Sequence, residues 1–94
     1  MNWLEIIELR SADSKRQLLE SELRNLIHEL DKEAPNQAVK AYDRLRVDSD
    51  FRIHLSHDSK EVEINGNHLG LRIFSALKGF GLVKHRIWVE LNDK

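Results

Sequence analysis

The chain contains no cysteine. Disulfides, thiolate nucleophiles and thiolate metal sites are therefore excluded, and the composition is the one expected in a reducing cytoplasm. Proline occurs once, at Pro35, and glycine four times, so no Pro/Gly-rich linker divides the 94 residues. With no repeat or low-complexity tract either, a single domain over 1–94 with a modest core is expected. No uninterrupted apolar run approaches the length needed to cross a bilayer. The opening "MNWLEIIELR" has no basic segment leading into an apolar one, so neither a secretion signal nor a membrane association is expected. An excess of one charge is also missing. Charged residues make up 33% of the chain, yet the net charge is −1, which argues against the whole molecule being an electrostatic ligand of nucleic acid. The balance is uneven, with eight acids and five bases in residues 1–36 against eight and ten in residues 37–94.

Against these absences the hydrophobic pattern is clear. "WLEIIELR", Trp3–Arg10, has apolar residues on both parities, Leu4 and Ile6 on one and Trp3, Ile7 and Leu9 on the other. A strand with two apolar faces is a central one, covered on both sides. Ser14 and Gln17 have the spacing of a capping box. Leu19, Leu23, Leu26, Ile27 and Leu30 then form the stripe of an amphipathic helix over 14–33, stopped ahead of Pro35.

Two alternating segments follow in "VKAYDRLRVDSDFRIHLSHDSK". A three-residue loop at Asp48-Ser49-Asp50 would pair Val47 with Phe51 and Leu45 with Ile53, keeping the apolar side chains on one face. Residues 57–67 read as a polar connection with a short extended piece at Val62–Ile64. Leu69, Ile73, Ala76, Leu77 and Phe80 form a second helical stripe with Asn67 as N-cap, and Val83, Ile87, Val89 and Leu91 a last strand. The expected class is α+β, a ferredoxin-like βαββαβ sandwich: a four-stranded antiparallel sheet, order 4-1-3-2, with two helices on one face.

The face away from the helices would carry Lys40, Tyr42, Arg44, Arg46, Arg52, His54, Arg86 and Trp88, with Arg46 beside Arg52 and Arg44 beside His54. Like charges opposed across strands are destabilising without a neighbouring anion. Water and salt, the carboxylates of a second copy (Glu8 or Glu90), or a phosphate-bearing ligand stacked on Tyr42 and Trp88 could each supply the cover. The apolar side chains of the first strand, central to that face, favour a homodimer joined through the sheet. Nucleic acid ranks second, because the third strand offers that face Arg52, His54 and Ser56 but no aromatic.

The element order and the sheet that calls for a partner resemble the dimeric α+β barrel superfamily, which includes antibiotic-biosynthesis monooxygenase-like and haem-degrading proteins. The resemblance is one of architecture over nearly the whole chain. It implies two sheets packed face to face and a pocket between sheet and helices. It leaves open a small ligand-binding protein or a cofactor-independent oxygenase. The oxygenases of this layout use Asn, Trp and His, types present at Asn2, Trp3, Trp88 and His85, but without a shared motif no role is carried over.

Read singly, Asp43 and His85 fall on the helix-facing parity and are the candidate pocket residues. They lie on opposite edge strands, three spacings or roughly 14 Å apart, too far to act as an acid–base pair. His57-Asp58-Ser59 contains the residue types of a hydrolase triad, but consecutive residues cannot easily form one. His54 and His57 have opposite parities and lack a third ligand, so no metal site is expected, and nothing calls for a cofactor. Gly66-Asn67-His68-Leu69-Gly70 lacks the GK[ST] ending of a phosphate loop and reads as a capped turn.

Overall fold

The long first strand and the helical stripe after it are where the periodicity puts them. A computed structural model describes residues 1–11, 16–33 and 38–93, with β1 at Asn2–Ser11, α1 at Arg16–Glu33, β2 at Ala38–Arg44, β3 at Val47–Asp58, α2 at His68–Leu77 and β4 at Gly81–Val89. Single 3₁₀ turns follow α2 at Lys78–Phe80 and β4 at Leu91–Asp93. The Ser14 cap and the stop at Pro35 lie outside the described residues. The four strands form one antiparallel sheet in the order β2-β3-β1-β4, the expected neighbours counted from the opposite edge.

The two faces separate by parity. Leu19, Leu23 and Leu30 of α1 and Leu69, Ile73 and Leu77 of α2 form one buried cluster with Ile7, Leu9, Phe51, Ile53 and Leu55. Every strand residue in that cluster is odd-numbered, so both helices lie on one face. Each buried Leu or Ile contributes about 1.5–3 kcal/mol relative to exposure, which is how so short a chain holds its sheet. Asn67 caps α2 as its residue type suggests, with Oδ1 accepting from the N–H of Leu69 at 2.9 Å. Val62–Ile64 is not a strand; Ile64 and Asn65 form a turn, and Leu91 falls beyond β4 in the terminal 3₁₀ turn.

The hairpin between β2 and β3 departs from expectation. The turn is at Leu45-Arg46, not at Asp48–Asp50, and β3 begins at Val47. Arg44 pairs with Val47; Asp43 then pairs with Phe51, Tyr42 with Arg52 and Ala41 with Ile53. Residues 48–50 of β3 form a bulge between the first two of those pairs. Parity explains the error, because it survives a register shift of four residues and so cannot distinguish Val47 from Asp43 as the partner of Phe51. Leu45 is exposed in the turn. Arg46 has a φ of 64°, the left-handed region, and is neither on the sheet face nor beside Arg52. Arg44 faces Val47 rather than His54.

That φ angle makes the hairpin testable. A β-branched side chain is poorly tolerated there, so Arg46→Val costs about 1–2 kcal/mol in urea unfolding, while Arg46→Gly is neutral or stabilising. A regular strand at this position would give the reverse order.

Candidate functional site

β1 turns Trp3, Glu5, Ile7 and Leu9 to the buried side, and Glu5 is a charged residue in an otherwise apolar row. Its carboxylate is wholly buried. Oε1 accepts from the backbone N–H of Asn67 at 2.8 Å and lies 2.7 Å from Nε2 of His57. Oε2 lies 2.7 Å from Nε2 of His85. His57 is paired with Trp3 on the β3 side and His85 with Ile7 on the β4 side, so the rings approach Glu5 diagonally from its two neighbouring strands. An ionised carboxylate has only lone pairs to offer, so in that state each ring presents a hydrogen on Nε2. Three donors on one carboxylate make the burial of its charge tolerable.

The backbone around this centre is shaped to the carboxylate. Gly70, in the first turn of α2, lies so close that a Cβ there would run into Oε2 of Glu5. Gly66 has a φ of 95° and sits over His85, where a Cβ would meet Cε1 of the ring. The two imidazoles differ in their freedom. His57 is stacked on Trp3, with ring centroids 4.0 Å apart, and its side chain is 3% exposed. The Trp3 indole in turn donates to Oγ of Ser59 at 2.9 Å, and that hydroxyl donates to the Glu61 carbonyl at 2.7 Å. The side chain of His85 keeps 14% exposure, beside Phe74 with centroids 6.0 Å apart. A carboxylate behind a partly exposed imidazole is an arrangement capable of acid–base chemistry.

The opposite face of the sheet answers the question of what covers its arginines. Glu8 of the same chain lies 3.1 Å from Arg52, and Asp50 accepts from Arg44 at 3.2 Å and Arg10 at 3.4 Å. The Ser49 hydroxyl holds the Asp50 carboxyl below its ordinary range; burial opposes it, and Arg44 and then Arg10 add to the lowering. Glu90 accepts from the Asn2 amide at 3.1 Å. Glu8 and Glu90, expected from a second copy, are thus engaged within the chain. Leu4 and Ile6 fill the centre of the face, with Trp88 beside Leu4 and His54 and Arg86 on either side of Ile6. Tyr42, Leu82 and Trp88 are exposed. At one end a groove of about 630 Å³ is lined by Glu8, Tyr42, Arg44, Arg52, His54, Leu82 and Lys84, among others. His54 stacks obliquely on Tyr42 at 4.7 Å, and its buried Nε2 has no hydrogen-bond partner. Burial, then the Arg52 charge, push its pKa below the ordinary histidine value.

Of the residues singled out by sequence, Asp43 is exposed on edge strand β2 and lines that groove, while His85, on the other edge strand, is bound to Glu5. The structure does not bring them together. Tyr42, Arg52, His54, Arg86 and Trp88 do share the open face; Arg44 stands at its end, and Arg46 is in the turn. Asp58 and Ser59 turn away from His57, one near the terminal amine at 3.5 Å and the other under Trp3. Sequence reasoning passed over Glu5 and dismissed His57, which belongs to β3 rather than to the loop. The signal was present: Glu5 shares the parity of Trp3, Ile7 and Leu9, and His57 continues the row Phe51, Ile53, Leu55. Among the described residues no group of three or more metal-ligating side chains is arranged to hold an ion. Comparison with protein-family models, with curated proteins and with solved structures finds no match.

The Glu5 centre predicts two signs in urea unfolding. Glu5→Leu leaves the Asn67 amide and both rings without an acceptor and costs about 3 kcal/mol or more, at 1–3 kcal/mol per stranded group. Gly70→Ala would gain about 1 kcal/mol in an unobstructed helix; here it destabilises, because the methyl group collides with the carboxylate.

Proposed function

We propose that the chain is a ferredoxin-like domain that acts as a homodimer of the α+β barrel kind, two copies meeting through their open sheet faces, and that it binds a small molecule in the groove those faces enclose. The observation that carries this reading is how the open face is composed. Its centre is apolar, Leu4 and Ile6, and Trp88, Tyr42 and Leu82 stand exposed around it. Its acids Glu8 and Asp50 already hold Arg52, Arg44 and Arg10 in place. An identical face can therefore cover it without burying those arginines unpaired, and the exposed aromatics supply the anchors that interface centres favour. The groove beside Tyr42 and His54 has the size of a small-ligand site. The absence of cysteine suits a cytoplasmic setting.

The cofactor-independent oxygenase needs an open pocket between sheet and helices, and the region around Glu5 is occupied by His57, His85, Gly66 and Gly70. The nucleic-acid reading has less support. Trp3, the aromatic that a base would stack on in the central strands, is 3% exposed and on the helix side. No helix among the described residues is long and apolar enough to cross a membrane.

Sedimentation equilibrium tests the proposal. The wild-type chain has twice the mass of one copy at micromolar concentration, and Trp88→Glu, which sets a carboxylate beside Leu4, returns it to the mass of one. A wild-type chain that stays single throughout that range overturns the reading.

A further inference from the structure

On the face away from the helices, one row of residues stands in register across the whole sheet. Tyr42 of β2 pairs with Arg52 of β3, Arg52 with Glu8 of β1, and Glu8 with Lys84 of β4. All of them line the same groove of about 630 Å³. Cross-strand neighbours on one face are close enough to interact, so Glu8 has a cation on either side. It goes to Arg52, at 3.1 Å. Lys84 has no ion pair among the described residues. The wider lining is unbalanced in the same sense. Its acids are Glu8, Asp43 and Asp50, and its cations are Lys84 and the arginines 10, 44 and 52, which leaves one positive charge in excess. His54 adds none, because burial, then the Arg52 charge, lower its pKa and keep the ring neutral at neutral pH.

In water a lone ammonium costs nothing; under a second copy it has to be paired. An identical face has no acid to spare for it. Glu8, Asp50 and Glu90 are engaged within their own chain, and Asp43 is not free either. The anion therefore comes from outside the protein, and the rest of the groove sets its body. Tyr42, at the far end of the row, is exposed, as is Leu82, which shares the strand face of Lys84. Three strand spacings, roughly 14 Å, separate Tyr42 from Lys84, a span that suits a flat, elongated molecule.

We propose that the groove of each chain takes one small aromatic carboxylate, its carboxylate on the Lys84 ammonium and its ring system along the row toward Tyr42. A single negative charge matches the single excess, whereas a dianion such as a phosphate monoester leaves charge of its own unanswered. The site rests on the pairing of two open faces, which takes Lys84 out of water, but every residue that forms it belongs to one chain.

The probe is 2-naphthoate, followed in nitrogen-15 amide spectra of the wild-type protein at neutral pH, with naphthalene-2-carboxamide as its uncharged counterpart. 2-Naphthoate gives saturable shifts at Tyr42, Arg52 and Lys84. The carboxamide with the wild-type protein, and 2-naphthoate with Lys84→Met, bind about tenfold more weakly, the scale of one charge-assisted hydrogen bond. Tyr42→Ser weakens binding as well. Both side chains are exposed, so both variants keep the fold. No saturable binding of 2-naphthoate overturns the ligand class, and so does equal binding of the carboxamide. Undiminished binding by Lys84→Met overturns the place of the carboxylate, and by Tyr42→Ser that of the ring. Sedimentation equilibrium on the same samples separates this site from the pairing. Twice the mass of one copy without binding overturns the ligand class alone. The mass of one copy with binding upholds the ligand class and overturns the pairing.

Discussion

A buried carboxylate with three hydrogen-bond donors on it is the constraint from which the rest of this molecule follows. Glu5 sits in the middle of the central strand, and its partners come from three other places: His57 on β3, His85 on β4 and the backbone of Asn67 at the start of α2. One side chain thereby ties both neighbours of β1 and positions the second helix above them. Asn67 serves twice, donating its N–H to Glu5 and accepting from Leu69 through its side chain, so the cap of α2 and the sheet share a residue. The two glycines that touch the centre are the means by which the backbone comes near enough. Such clusters are seldom more stabilising than the apolar residues that could replace them. Their effect is to fix geometry, since each donor has one place in which it is satisfied.

β1 divides the molecule into two chemistries by parity. Its odd residues carry the carboxylate and the core, and its even residues place Leu4 and Ile6 at the centre of the open face with Glu8 beside Arg52. Of the arginines that made that face unusual in the sequence, Arg52 and Arg44 are paired with acids of the same chain. Pairs this exposed contribute little to stability. Their consequence is a surface with an apolar middle and a matched rim. The proposal that a second copy covers it rests on Leu4, Trp88, Tyr42 and Leu82.

Parity made much of this legible. Class, element order and strand neighbours follow from periods of two and 3.6 residues, and the allocation of even and odd residues to the two faces held outside the Arg44–Asp50 turn and bulge. The hairpin was hidden because Asp48-Ser49-Asp50 has the composition of a turn and Leu45-Arg46 does not. A wide bulge leaves the alternation intact while moving the register. The centre was hidden for a different reason. Burial of Glu5 is signalled by its row, but its partners are 52 and 80 residues away, and their convergence depends on the registers of two separate strand pairs. His85 could be named from parity alone; what it binds could not. Asp43, named with it as a pocket residue, is exposed on edge strand β2 and lines the groove beside Tyr42.

The exchange rate of the Asn67 amide hydrogen tests the central claim most directly, because that N–H is held by the Glu5 carboxylate and by no element of regular structure. If the carboxylate anchors the loop and helix to the sheet, the Asn67 amide exchanges only through global unfolding, as slowly as the amides of β1. Exchange at the rate of the exposed turn residues before it, Ile64 and Asn65, would mean that the loop lifts away freely and that Glu5 does not hold the structure together.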